Sequence, residues 1–194
     1  MAVTAHSQLP TDRGDFEILT FAADHPDLPH VVLKTVLTGA IPVVRIHSEC
    51  MTGDVFGSMR CDCGKQLHAS MEYIQKNGGA IIYLRQEGRG IGLTEKIKAY
   101  ALQEKGADTV EANLALGHGA DERNYKDAID ILHTLGWKTI QLMTNNPEKI
   151  KQLEQGGIQV SQRIPIVIES NVHNQQYLQT KSNKMGHWLD EEKS

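Results

Sequence analysis

The chain of 194 residues is poor in several things at once. Its three cysteines are an odd number and too few for a disulfide framework, which points to a reducing compartment. The formal charge of −4 lacks the basic excess that a generic nucleic-acid binder carries, so no nucleic-acid partner is expected. No apolar run reaches the ~18 residues of a membrane span. The opening MAVTAHSQLPTDRGDF has no basic stretch followed by an apolar one, so it does not read as a signal peptide. A cytoplasmic protein with no membrane partner is therefore expected. Aromatics are scarce at 5%, but 40% hydrophobic and 23% charged residues are the mixture of an ordinary soluble globular protein. Repeats and low-complexity linkers are also missing. The length suits one compact domain with a real core.

What is present alternates in period. VVLKTVL (Val31 to Leu37) and IPVVRIH (Ile41 to His47) are β-branched runs separated by the turn signal Thr38-Gly39-Ala40, which predicts a hairpin. KQLHASMEYIQKNGG places Leu67, Met71 and Ile74 at helical spacing and stops at Gly78-Gly79. AIIYL (Ala80 to Leu84) reads as a buried strand feeding the loop RQEGRGIG, with a helix from about Leu93 to Lys105. NYKDAIDILHTLG predicts another helix, TIQLM a strand, Thr144-Asn145-Asn146 a loop, and Pro147 a helix start, before the β-like runs IQV and IPIVI. The tail from Glu169, with His173, His187 and Trp188, is polar and is expected to be loosely attached. The pattern predicts a single compact α/β domain, a mixed β-sheet with flanking helices whose functional loops sit at strand ends.

All three cysteines, Cys50, Cys61 and Cys63, fall in one stretch as C-x10-C-x-C. Thiolates gathered in the loop of a cytosolic protein select a soft or borderline ion, and zinc fits best. Burial as three small turn residues fits less well, because Asp54, Arg60, Asp62 and Lys65 make the stretch polar. The fourth position is open to two readings. His47 or His68 could close a structural Cys3His site, or water could occupy it as in catalytic sites.

The second constellation is RQEGRGIGL, Arg85 to Leu93. A glycine-rich loop between strand and helix exposes backbone N–H groups to a polyanion, although a solvated turn would look the same. It is not a Walker A loop, because G-x4-G-K-[ST] is absent. Arg85, Arg89, Lys96 and Lys98 give this stretch a positive field in an acidic chain, which suits an anionic ligand. In GADERNY, Asp121 and Arg123 could share a loop at a helix start, with Asp121 as a plain N-cap.

Taken in order, RIHSECMTGD, RCDCGKQL, RQEGRGIGL, KAYAL, DTVEANLALG, DERNY and LMTNNPEK resemble the GTP cyclohydrolase II family, from about Val31 to Ile168. Members open the guanine ring of GTP as the first committed step to riboflavin. The resemblance implies a zinc held by Cys50, Cys61 and Cys63 with water as fourth ligand, and Mg²⁺ with the triphosphate. It implies GTP contacts at Arg45, Ile46, His47, Ser48, Glu49, Gln66, Glu87, Gly88, Arg89, Thr109, Thr144 and Lys149. Glu87 suits guanine, whose ring N–H and amino group are donors while a carboxylate only accepts. The family assigns Arg123 as nucleophile on the α-phosphate and Asp121 as proton acceptor. A guanidinium with a pKa above ~12 is a poor nucleophile, so an electrostatic role for Arg123 stays open. Tyr100 is the residue expected beside the zinc.

The resemblance divides the chain into an N-terminal segment (1–30), a catalytic domain (31–169) and a polar tail (170–194). It implies a homodimer. With thirty residues ahead of Val31, a monofunctional enzyme is expected. Two other classes fit the same residues: a zinc-stabilised nucleotide-binding module without turnover, and a sister cyclohydrolase of another pathway or with a formylated product.

Overall fold

The computed structural model describes residues 1–23, 27–119, 121–175, 186 and 188. Seven strands are described: β1 (Val3–Thr11), β2 (Gly14–Phe21), β3 (His30–Lys34), β4 (Val43–Ser48), β5 (Gly79–Leu84), β6 (Thr139–Met143) and β7 (Gln159–Ile164). They form one sheet in the order β1-β2-β3-β5-β4-β6-β7. The β1-β2-β3-β5 wing is antiparallel, and β5-β4-β6-β7 is parallel. The helices are α1 (Met51–Asp54), α2 (Cys63–Asn77), α3 (Gly92–Gln103), α4 (Thr109–Ala115), α5 (Lys126–Thr134) and α6 (Pro147–Gln155). The fold is thus α/β with a mixed sheet, as the alternating pattern predicts.

The predicted hairpin between Val31–Leu37 and Ile41–His47 does not form. β5 lies between the two strands, antiparallel to β3 and parallel to β4. The reason lies in burial. β4 and β5 are buried along almost their whole length, so each needs a partner on both edges and cover on both faces. Gly78 and Gly79 make the insertion possible: a Cβ at Gly78 would meet the Thr38 nitrogen at 2.5 Å, and one at Gly79 the Val43 oxygen at 1.8 Å. Only glycine lets the chain pass so close to both neighbours. The turn Thr38-Gly39-Ala40 instead packs over the end of α2, where the Thr38 hydroxyl donates to the Asn77 carbonyl.

The sheet divides the core in two by the period of its strands. Val44, Ile46, Ala80, Ile82, Leu84 and Phe21 face one side, with Ala128, Ile131 and Leu132 of α5 and Leu153 of α6. Phe16, Val43 and Ile81 face the other side, with Ile74 of α2. Alternation then puts Arg45 and His47 on the Val43 face, toward α2. Residues 3–21, ahead of the expected domain, supply β1 and β2, the outer two strands of the antiparallel wing of this same sheet. Of the runs IQV and IPIVI, β7 takes in Gln159 and Val160 of the first but only Ile164 of the second; it ends there because Pro165 has no N–H to continue the ladder, so Pro165 to Ile168 are not strand. The tail is not wholly loose: the Trp188 N–H donates to the Asn145 carbonyl at 2.9 Å, and its ring covers the Arg163 guanidinium. His173 is exposed, and His187 lies outside the described residues.

Candidate active site

The parallel strands β4, β5 and β6 end side by side, and the segments that follow them converge on one cleft. This is where open α/β sheets place ligands. From β4 come Arg45 to Cys50, from β5 Glu87 to Arg89, and from β6 Thr144; α2 adds Gln66, α3 Tyr100, α4 Thr109 and α6 Lys149. Cys61, Cys63 and Arg123 line it too. Every site residue expected from sequence therefore borders the cleft except Asp121, which stands behind Arg123.

The three sulfurs lie within 4.8 Å of one another. Cys50 and Cys61 are 3.7 Å apart, too far for a disulfide and close to the ~3.8 Å that separates thiolates arranged tetrahedrally around zinc at ~2.3 Å. Two glycines allow this convergence. A Cβ at Gly53 would sit 2.8 Å from the Cys61 sulfur and 3.2 Å from that of Cys50, and one at Gly64 would meet the Gly53 oxygen at 2.2 Å. The thiols cannot all ionise unaided. Hydrogen bonds from Cys61 and Cys63 hold Cys50 far below the usual thiol range. That thiolate pushes Cys61 up to about 11, and Cys63 is raised well above its ordinary value by the same partners. A divalent cation would relieve the conflict, so the donor set fits a soft or borderline metal ion.

Neither candidate histidine completes that set. The His47 Nε2 lies 3.1 Å from both oxygens of Asp54, and His68 is exposed on α2. Among the described residues no histidine nitrogen joins the thiol cluster. Asp54, in sequence only a polar neighbour of the cysteines, ties this corner together. It accepts from the Cys50 N–H and the Tyr83 hydroxyl, both at 2.9 Å. Burial lowers the pKa of His47 despite Asp54, and burial, then Asp54, raises that of Tyr83.

The glycine loop is a 3-10 turn, Glu87–Gly90, with left-handed backbone at Gly88, Arg89 and Gly90. Arg89 is the one non-glycine with positive φ among the described residues, a conformation that costs about 1–2 kcal/mol. It is held because its carbonyl accepts from the Glu122 N–H at 3.1 Å, which clamps the loop to the segment carrying Arg123. Strain of this kind marks functional loops. Glu87 is heavily engaged. Its Oε2 accepts from the Met51 N–H at 2.6 Å, and its Oε1 from the Gly88 N–H at 2.7 Å and the Lys96 ammonium at 2.9 Å. A carboxylate has about four acceptor positions, so Glu87 keeps one for a ligand rather than two.

The positive field differs from the one expected. Arg85 pairs with Glu49 at 3.0 Å, Lys96 with Glu87, and Lys98 with Glu95 on the outer surface. The cations that face the cleft are Arg45, Arg89, Lys96, Arg123 and Lys149, from five separate segments. Arg45 is buried and fixed through the Met143 carbonyl and Gln66. The Lys149 ammonium donates to the Ile46 carbonyl at 2.7 Å and lies 5.1 Å from the Tyr125 ring centre. Ser48 accepts from Gln86, and Thr144 is buried beside them. Glu49 is raised by burial in spite of Arg85.

Asp121 is not a helix cap. α5 starts at Lys126 with Tyr125 before it, and the Asp121 carboxylate instead takes the Arg123 N–H, its Nε at 2.8 Å and its Nη2. Burial alone would raise its pKa, but the fork from Arg123 outweighs it and lowers the net value. α4 is signalled locally by D-T-V-E: Asp108 and Glu111 form a capping box that sets Thr109 at the helix start. Lys96 is expected from sequence only as part of a positive field, and no local pattern announces its contacts to Cys50 and Glu87.

The comparisons with known proteins point to one family. The profile of the GTP cyclohydrolase II family matches residues 2–165. The chain is 54% identical over 185 residues to the riboflavin biosynthesis protein RibBA of Bacillus subtilis, covering 93% of this chain and 46% of that protein. It is 50% identical over 184 residues to RibBA of Phocaeicola vulgatus, again covering 93% and 46%. It spans about half the length of these relatives. GTP cyclohydrolase-2 of Haemophilus influenzae is 48% identical over 191 residues, covering 96% of this chain and 88% of that one. With the profile spanning sheet, thiol triad and glycine loop together, the chain belongs to the GTP cyclohydrolase II family.

Proposed function

We propose that the chain is a GTP cyclohydrolase II, converting GTP to 2,5-diamino-6-ribosylamino-4(3H)-pyrimidinone 5′-phosphate, formate and pyrophosphate in riboflavin biosynthesis. The observation that carries this reading is one cleft with two kinds of chemistry. The same cleft holds three converging thiols and a set of cations gathered from separate elements. The first suits hydrolysis at carbon 8 of guanine, the second a triphosphate.

Cys50, Cys61 and Cys63 would hold zinc, which supplies Lewis acidity and can bring the pKa of water down to ~7. Tyr100 borders the same cleft, and burial keeps its phenol protonated and able to donate to a formyl oxygen. Glu87 accepts one donor of the guanine edge at its remaining position. Arg45, Arg89 and Lys149 neutralise phosphate charge together with Mg²⁺, and Ser48, Thr109 and Thr144 border them with hydroxyls. Arg123 acts as a fixed charge on the α-phosphate region. Two of its guanidinium nitrogens are bound by Asp121, and a carboxylate with a lowered pKa is a poor proton acceptor. Asp121 is therefore the clamp that aims Arg123. Water, rather than the guanidinium, completes the cleavage that releases pyrophosphate.

The reading places the chain in the cytoplasm, where thiols stay reduced. It also includes a homodimer, which light scattering on the purified chain tests. Mass analysis of the product from GTP, with formate and pyrophosphate measured together, tests the activity. Unchanged GTP would favour a binding module, and a retained formyl group a sister cyclohydrolase.

A further inference from the structure

Lys96 joins the two halves of the cleft through one atom. Its Nζ donates to the Cys50 sulfur at 3.1 Å and to Glu87 Oε1 at 2.9 Å, and it lies 5.8 Å from the Tyr100 ring centre. The side chains of Lys96 and Glu87 are only 11% and 10% exposed, so this is not a solvated surface pair. The approach is built in. Gly88 has no side chain where a Cβ would meet the Lys96 Cβ at 3.2 Å, so the lysine stem passes under the glycine loop. α3 delivers the ammonium from its first turns, and the Met51 N–H holds the other Glu87 oxygen in place at 2.6 Å.

Three thiolates around a divalent cation carry a surplus negative charge, and a buried surplus is costly unless paired. A lysine ammonium in contact with one sulfur cancels it. Hydrogen bonding also draws electron density from that sulfur and makes it a weaker donor to the ion, as outer partners of metal ligands do. We propose that Lys96 is a positioning residue that offsets the excess charge of the three-thiolate centre at Cys50 and, with the same ammonium, fixes Glu87 for the base. One side chain thereby ties the metal seat to the glycine loop. The inference rests on the thiol triad being the seat of the metal.

The test uses the full-length chain loaded with Co²⁺ in place of zinc, whose thiolate charge-transfer absorption reports the sulfur donors directly. Lys96→Met keeps the stem and removes the charge, so this band should move to longer wavelength. Lys96→Arg, which restores a cation, should return it toward the wild-type position. In the zinc-loaded chains Lys96→Met should lower kcat at least tenfold and raise KM for GTP, whereas Glu87→Gln should raise KM with the cobalt band unmoved. Should Lys96→Met fail to retain cobalt, Lys96→Gln carries the same measurement. A band at the wild-type wavelength in a neutral Lys96 variant that holds one cobalt per chain overturns the proposal and leaves the metal seat intact. A wild-type chain with no thiolate-to-cobalt band overturns the metal seat itself, and the proposal with it.

Discussion

Gly53→Ala adds one methyl group at the point where the thiols converge. The backbone there is ordinary, so the cost is purely one of space. The new carbon would stand 2.8 Å from the Cys61 sulfur and 3.2 Å from the Cys50 sulfur, well inside van der Waals contact. Without a metal the two sulfurs can turn aside, leaving the Cys63 Cβ at 3.2 Å as the contact that must give by a few tenths of an ångström, so folding loses less than metal binding. With a metal the sulfurs are held in place, and overpacking of this sort costs about 1–3 kcal/mol. At about 1.4 kcal/mol per decade, zinc should bind roughly 5- to 150-fold more weakly. Competition against a chromophoric chelator measures the affinity, and thermal unfolding of the metal-free chain measures the fold. Gly64→Ala is the contrasting case, because its methyl would overlap the Gly53 carbonyl at 2.2 Å and force the backbone apart. That variant should lose stability and metal affinity together. If Gly53→Ala binds zinc as tightly as the wild type, the ion does not sit among these three sulfurs and the reasoning fails.

Three further outcomes are expected. Cys61→Ser should abolish formate production while pyrophosphate release from GTP persists, leaving GMP; a folded variant that loses both products would refute the division into two kinds of chemistry. Glu87→Gln replaces an acceptor with a group that must turn a donor toward Lys96, Gly88 or Met51. Losing a charged hydrogen bond costs about 1.5–3 kcal/mol, so preference for GTP over ATP should fall one to two orders of magnitude, read from competing kcat/KM values. His47 titrates below its ordinary value of 6.5 in the fold, so the folded chain binds fewer protons than the unfolded one. Its contribution is complete above pH 6.5 and declines as pH falls below it. Urea unfolding of the metal-free chain at pH 7.5 and 5.5 should show a loss that His47→Gln lacks, and equal losses would place the titration elsewhere.

Local signals were enough for much of this fold. The α2 spacing of Leu67, Met71 and Ile74, the TIQLM strand and the Pro147 helix start all match the structure, because each depends on neighbours a few residues away. The hairpin expectation failed because strand pairing is not local. Thr38-Gly39-Ala40 carries a turn signal, but the neighbour that β4 takes is β5, beyond the whole of α2. Asp121 was ambiguous in the same way, since an aspartate two residues before an arginine reads equally as cap or clamp. The cysteine cluster was legible because its spacing is itself improbable. Lys96 was not, because its meaning lies in contacts with Cys50, which is 46 positions away, and with a carboxylate in another loop.

The interior position of β4 has a consequence for how the chain is made. Both of its partners, β5 and β6, are synthesised after it, and β6 follows about a hundred residues later. At about 5–20 residues per second, one edge of this apolar strand has no partner for roughly 5–20 seconds on the ribosome. An unpaired hydrophobic edge is a template for pairing with another chain. Arg45, in the middle of PVVRIH, then has a second use: before it is buried, its charge interrupts the run most prone to aggregate.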